Sequence, residues 1–335
     1  MAKKIKVAII GTGFIGDYHA RALQTLPDVE VTVACGLPLE AAEKFAKRYG
    51  IKVVTTDAMS LIKRDDLDVA ILGIPNKFHA PYALQFIKNG KDVLIEKPLA
   101  MNSKEGEQII AAAEKYKRVV MVGHMWRFDT EINYIKKAVD SGMIGKIIKT
   151  KGYGIHENWG PGGWFTEKEM AGGGALPDMG IHAVDITRYL LGNPQPKQVY
   201  AKIGTYYGDY EVDDTGIIMV TWENGTTSII ESGWWQPHMD GPEAATRLYG
   251  TKGYASVFPT KLKFKIGGYP GEFNATMPQR SEHCDQVIYD RQMKHFIECV
   301  RKRETPVPGL KEGQIILNII DAAYESSRTG KVVVL

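Results

Sequence analysis

"VAIIGTGFIGDYHARAL", Val7 to Leu23, decides the fold. It sets Gly11, Gly13 and Gly16 as G-x-G-x-x-G, with Phe14 and Ile15 between the last two, directly after an apolar β-rich run and directly before a helical pattern. In that context the first glycine makes the turn, the second lets backbone approach a pyrophosphate, and the third permits close packing of helix on strand. The spacing alone would say little. With both flanks in place it predicts the cofactor-binding turn of a Rossmann domain.

The neighbouring sequence agrees. From Lys3 to about Gly123, short apolar runs ("IKVAII", "VEVTVAC", "LDVAILG", "KDVLIEK", "RVVMVG") alternate with longer stretches of helical periodicity, as in a doubly wound parallel sheet. This predicts an α/β Rossmann domain over residues 1–124. After Met125 the rhythm changes to one helix, "EINYIKKAVDSGMIG", and then to aromatic, glycine-rich strands. "MVTW" and "TTSII" around "ENG" read as a hairpin, since Asn-Gly supplies the positive φ angles of a tight turn. The second domain, residues 125–335, is therefore expected to be α+β with a large, mostly antiparallel sheet. Two closing helices end it, the last capped by Gly330, and a C-terminal helix packing back on the first domain is part of the expectation.

Composition narrows the partners. The 335 residues carry a formal net charge of +3 spread over many charges of both signs, so neither nucleic acid nor an acidic membrane surface is indicated. Cys35, Cys284 and Cys299 are scattered and lack C-x-x-C spacing, which argues against a disulfide framework or a thiolate zinc site and fits a reducing cytoplasm. The opening lysines and apolar run end at once in glycines with no cleavage site, so they read as a strand and not as a secretion signal. No apolar stretch approaches the roughly 20 residues a membrane span needs. A soluble, cytoplasmic protein with a small-molecule partner is expected.

A second glycine-rich stretch carries chemistry. "GGGALPDMGIHAVD", Gly172 to Asp185, places Asp178 and His182 at i and i+4, which aims a carboxylate and an imidazole from one helix face. Asp185 follows three residues later and reads as an orienting or capping group. With no further histidine or cysteine at ligand spacing, no metal is expected. Lys97 follows the strand "KDVLI" and so emerges at a strand's carboxyl end, the edge where ligands bind in open α/β sheets.

Four stretches together resemble one family. "GTGFIGDYH", "GIPNKFHAPYA", "VLIEKPLA" and "GGGALPDMGIHAVD" occur in the order and at the spacings typical of the glucose-fructose oxidoreductase, inositol dehydrogenase and MocA (Gfo/Idh/MocA) family. The resemblance covers nearly the whole chain. It implies a nicotinamide dinucleotide on the first domain and, in the second, an open-faced sheet that builds the substrate pocket and mediates homodimers or homotetramers. By matching position it makes Lys97, Asp178 and His182 the catalytic set, and puts Pro75, Asn76 and His79, with Glu96, near the nicotinamide end of the cofactor. One departure stands out. Where the commoner pattern has an acidic residue for the ribose hydroxyl, this chain has Gly36 and Leu37, with Glu40 a little beyond and no arginine or lysine next to them. The missing cation favours NAD, and the missing acid leaves NADP open.

The expected chemistry is transfer of hydride between a secondary alcohol of a sugar, inositol or related polyol and the nicotinamide. His182 takes the hydroxyl proton while Lys97 and Asp178 position the hydroxyl. Arg127, His156, Trp159, Trp164 and Trp234 are expected in the substrate pocket, with His124, Trp235 and His238 also close to these motifs. Aromatic faces beside polar groups suit the C–H faces and hydroxyl rims of a sugar. Two other functions remain: an NAD-dependent glycosidase that recycles its cofactor, and a non-catalytic dinucleotide or sugar sensor.

Overall fold

A computed structural model describes residues 4–237, 244–277 and 285–335, which leaves His238 and Cys284 outside the described residues. The chain forms two compact units, Met1–Met125 with Arg280–Gln314, and Trp126–Gln279 with Ile315–Leu335.

The first unit opens with β1 (Ile5–Ile10), α1 (Phe14–Gln24), β2 (Val29–Cys35), α2 (Leu39–Tyr49), β3 (Val53–Thr55) and β4 (Val69–Leu72). It continues with α3 (His79–Lys88), β5 (Asp92–Glu96), α4 (Ser103–Tyr116) and β6 (Val120–Gly123). The strands make a six-stranded parallel sheet in the order β3-β2-β1-β4-β5-β6. The order reverses between β1 and β4, and ligands of such sheets bind in the crevice outside the carboxyl ends at that point. Strands β4, β5 and β6 are buried along their whole length, as unbroken apolar runs covered by helices on both faces should be. β3 is missing from the sequence reading because a three-residue strand is too short to show a period.

The second unit holds α5 (Thr130–Asp140), β7 (Ile147–Ile155), α6 (Lys168–Ala171), α7 (Ile181–Leu190), β8 (Pro196–Gly204), β9 (Thr215–Trp222) and β10 (Thr227–Gly233). Strands β11 (Ala245–Gly250), β12 (Gly253–Val257), β13 (Lys261–Ile266) and β14 (Tyr269–Asn274) follow; α8 (Gln286–Lys302) then belongs to the first unit, and α9 (Leu310–Thr329) begins there and continues from Ile315 into the second, which ends with β15 (Val333–Val334). The nine-stranded sheet runs β14-β13-β12-β11-β7-β10-β9-β8-β15 and is antiparallel except where β7 meets β10. Its inner face buries Val199, Ile218, Val220, Trp222 and Ile230 against Ile181 and Val184 of α7 and Ile316, Ile319 and Ala323 of α9. Side chains alternate along a strand, so the same strands turn Tyr200, Ile217, Met219 and Ile229 outward, each 40 to 54% exposed.

Two details differ from expectation. The hairpin at "ENG" forms, but only Gly225 has positive φ (+83°); Asn224 instead accepts Thr226 N–H on its side chain. Trp222 N–H bonds Thr226 O and Gly225 N–H bonds Trp222 O, so the connection is a type I turn closed by a glycine bulge and not the two-residue turn. The second difference concerns the single cut after residue 124. Helix α8 belongs to the first unit, where the Tyr289 ring lies 4.7 Å from Tyr18 of α1 and Gln286 Nε2 donates to Tyr18 O at 3.1 Å. The first unit is therefore discontinuous in sequence. Gly330 does cap α9, at φ +68° with its N–H on Ser326 O. Among the described residues no helix is long and apolar enough to cross a membrane, and Cys35 and Cys299 are free thiols.

Candidate active site

In the first unit the glycine turn sits between β1 and α1. Gly11 has φ +103°, and a Cβ there would lie 1.9 Å from Gly73 O; a Cβ on Gly16 would lie 2.2 Å from Gly11 O. Both positions exclude any side chain. Gly13 is different, because nothing lies within 4 Å of where its Cβ would be. It precedes α1 without a side-chain cap, which leaves the first N–H groups of that helix uncapped. Uncapped donors at the positive end of a helix, with room above them, fit a pyrophosphate. Phe14 is 64% exposed beside this space, and Ile15 Cγ2 packs against Gly73, at the end of β4.

At the end of β2, a Cβ on Gly36 would lie 2.2 Å from Thr12 Oγ1. The loop threonine occupies the room an acidic side chain would use, and Leu37 points into solvent, 80% exposed. A cavity of about 470 Å³ flanks the loop and is lined in part by Arg21, Lys44 and Arg48. Each of these cations is paired, Lys44 with Glu40 at 2.7 Å, Arg48 with Asp17 at 2.6 Å and Arg21 with Asp17 at 3.2 Å. A search confined to residues adjoining Gly36 in sequence misses them.

The ends of β4 and β5 carry the remaining expected cofactor residues. Pro75 starts a short turn over Asn76–Phe78, and the side chain of Asn76 is buried. His79 begins α3 fully enclosed, with Nδ1 2.7 Å from Pro98 O and Nε2 2.8 Å from Ile74 O. Burial pushes it below the ordinary histidine value, against the pull of the two carbonyls. Glu96 closes β5 with its carboxylate turned inward onto His19 Nε2 at 2.8 Å, and Lys97 follows it, partly buried.

In the second unit Asp178 and His182 come from one continuous turn. Residues Leu176–Gly180 form a π-turn, with Ile181 N–H reaching back to Leu176 O, and run directly into α7. Such wide turns recur at functional sites because they re-aim one residue without breaking the helix. Asp178 Oδ2 accepts the indole N–H of Trp234 at 3.0 Å and lies 3.9 Å from His156 Nε2. Trp159, 44% exposed, stacks on the His156 ring at 3.7 Å. Trp164 stacks on Phe165, which packs against the cluster of Ala175, Met179, Val212 and Trp234.

Two expected pocket residues do other work. Trp234 is fully buried, so it offers no face to a substrate; its N–H fixes the Asp178 carboxylate. Arg127 is also buried, and its guanidinium makes a bidentate pair with Asp185 at 2.6 to 3.1 Å and lies over Tyr189. That pair engages both oxygens of the Asp185 carboxylate.

Sequence reasoning passed over the support of the turn. Asp213 is buried beneath it, accepting N–H bonds from Gly174 and Leu176 at 2.8 Å each and the hydroxyl of Tyr324 of α9. Burial raises the Asp213 pKa, and the Tyr324 hydroxyl and the two amides lower it. A Cβ on Gly174 would lie 1.8 Å from Asp213 O, and one on Gly173 would lie 2.0 Å from Tyr324 Oη. On the sheet side, a Cβ on Gly154 of β7 would meet Met179 O at 2.2 Å. The glycine run was the only signal of these partners.

A reversing parallel sheet with this glycine turn at its switch point defines a dinucleotide-binding domain. A family model described as "Oxidoreductase family, NAD-binding Rossmann fold" matches residues 5–124, and one for the Gfo/Idh/MocA C-terminal domain matches residues 132–256. The chain is 30% identical to D-glucoside 3-dehydrogenase of Escherichia coli (strain K12), over 97% of this chain and 96% of that one. It is 29% identical to scyllo-inositol 2-dehydrogenase (NAD(+)) of Bacillus subtilis (strain 168), over 100% and 97%. A crystal structure of aldose-aldose oxidoreductase from Caulobacter crescentus, complexed with glycerol, matches with a TM-score of 0.85 at 26% identity, covering 99% of this chain and 100% of that one. The chain belongs to the Gfo/Idh/MocA family of oxidoreductases, and its first unit is an NAD-binding Rossmann domain.

Proposed function

We propose that this chain is a dehydrogenase that oxidises a secondary hydroxyl of a sugar, inositol or related polyol, with NAD as acceptor. The observation that carries the reading is the full-length likeness to a glucoside and an inositol dehydrogenase, in a chain that keeps Lys97, Asp178 and His182. The first unit holds the cofactor and the second the substrate. Gly11, Gly13, Phe14, Ile15 and Gly16 hold the pyrophosphate, Gly36 and Leu37 face the adenosine ribose, and Pro75, Asn76, His79, Glu96 and Lys97 surround the nicotinamide. When bound, the nicotinamide supplies the acceptor for the hydride that leaves the carbinol carbon.

His182 takes the hydroxyl proton and returns it in the reverse direction. Lys97 and Asp178 hold the hydroxyl oxygen and balance the charge that develops on it. Trp234 fixes the Asp178 carboxylate, and Trp159 and Trp164, the former backed by the stacked ring of His156, offer aromatic surface to the sugar ring. The outward apolar residues of the nine-stranded sheet support assembly into a homodimer or homotetramer through that face. Two buried free thiols suit a cytoplasmic location.

The test is the growth of reduced-nicotinamide absorbance, with NAD or NADP, on inositols, aldopyranoses, alkyl glucosides and levoglucosan. Wild type is expected to turn over at least one of these with NAD, and His182→Ala is expected to fall by about 10²- to 10⁴-fold. Release of sugar from a glycoside without net cofactor reduction would move the assignment to a glycosidase. Dinucleotide binding with silence across the panel would move it to a sensor.

A further inference from the structure

The dinucleotide loop explains the glycines of "GTGFIGDYH" but not its histidine. His19 lies on α1, wholly buried, and its Nε2 meets Glu96 Oε1 at 2.8 Å. The other oxygen of the same carboxylate, Oε2, accepts the backbone N–H of Lys97 at 3.3 Å. The seat for that carboxylate is cut into β6, where a Cβ on Gly123 would lie 2.7 Å from both Glu96 oxygens. The Tyr289 ring of α8 closes the far side, edge-on to His19 at 5.7 Å. One residue further along, Pro98 O accepts from the buried ring of His79, whose other nitrogen faces Ile74 O.

Both ends of the Lys97–Pro98 dipeptide are thus held by buried imidazoles, one of them through a carboxylate. Burying such groups costs free energy unless every partner is supplied, and apolar packing would close the same strand end without that cost. What the polar arrangement adds is a fixed origin for the lysine side chain. Lysine has four rotatable bonds, and a displacement of about 1 Å at a reacting group can lower a rate about 10²-fold.

We propose that His19 and His79 are positioning residues for Lys97: His19, through Glu96, anchors the Lys97 amide, and His79 anchors the Pro98 carbonyl. The proposal rests on the reading of Lys97 as a group that acts on substrate. His19→Leu removes the donor to Glu96, and His19→Gln restores one at similar reach. Three quantities are read on the full chain: NAD affinity by fluorescence quenching, turnover with the panel above, and the pH dependence of Lys97 acylation by acetic anhydride in the presence of NAD, followed by mass spectrometry.

The expected result for His19→Leu is a kcat about 10- to 100-fold below wild type with KM and NAD affinity little changed, an altered Lys97 acylation profile, and recovery of both by His19→Gln. A folded His19→Leu with wild-type kcat and acylation profile overturns the proposal. Should that variant not fold, His79→Phe, which keeps the ring volume and loses both nitrogens, is judged by kcat at saturating NAD and by the Lys97 acylation profile alone. A Lys97→Met variant that retained turnover would sink the catalytic reading of Lys97 instead, and the acylation profile of the histidine variants would then decide the clamp alone.

Discussion

The molecule has two glycine-rich turns, Gly11 to Gly16 in the first unit and Gly172 to Gly174 in the second; Gly11 and Gly16 are packed against main chain as Gly173 and Gly174 are packed, and Gly13 alone serves the opposite purpose. In the first, Gly13 keeps a space empty of protein, with nothing within 4 Å of its missing Cβ. In the second, Gly173 and Gly174 yield their space to the protein itself, to Tyr324 and Asp213. Gly13 is cleared for a visitor; Gly173 and Gly174 are packed so that Asp178, four residues past Gly174, cannot wander. Glycine in a sequence marks close approach without saying what approaches.

Substitutions can break this contrast. The largest effect is expected from Gly174→Ala, whose methyl meets main chain at 1.8 Å and has nowhere to go. A loss of about 3 kcal/mol or more in urea unfolding should follow, with little folded protein at 37 °C. Tyr324→Phe comes next. It strips Asp213 of its hydroxyl donor while leaving the two amides, and should cost about 1–3 kcal/mol together with a fall in kcat.

Gly13→Ala meets no protein atom and should leave the urea midpoint within about 0.5 kcal/mol, the scale of a helix-cap change. Its expected defect is in NAD affinity, weaker by about tenfold in a fluorescence titration, or ~1.4 kcal/mol. Unfolding by Gly13→Ala, or a pure binding defect from Gly174→Ala, would erase the distinction between the two turns. The smallest stability change belongs to Trp159→Ala, under about 0.5 kcal/mol for a side chain half in solvent, and its effect should appear as a raised KM for sugar.

What could be read from the chain follows from whether a signal is local. The Rossmann strands announce themselves as unbroken apolar runs, and the dinucleotide turn as a fixed spacing between a strand and a helix, so both were visible. Family resemblance supplied Lys97, Asp178 and His182 as a set. Partners distant in sequence were not visible: His19 lies 77 residues from Glu96, and Asp213 lies 111 from Tyr324. Trp234 misled for a related reason, since a tryptophan beside a pocket and one buried behind it look alike until burial is known. The hairpin at Asn224-Gly225 was legible as a reversal but not as a turn type, because Asn224 had a side-chain bond to make instead of a positive φ.

The rims of the nine-stranded sheet bear on how the molecule behaves in a crowded solution. One rim is β14, exposed along its length, where Pro270 opposite Lys265 offers no N–H to an incoming strand. The other is β15, only two residues long. Poor templates at both rims discourage the edge-to-edge growth that leads to fibres. The rims of the sheet are thus blunted by a proline and a very short strand.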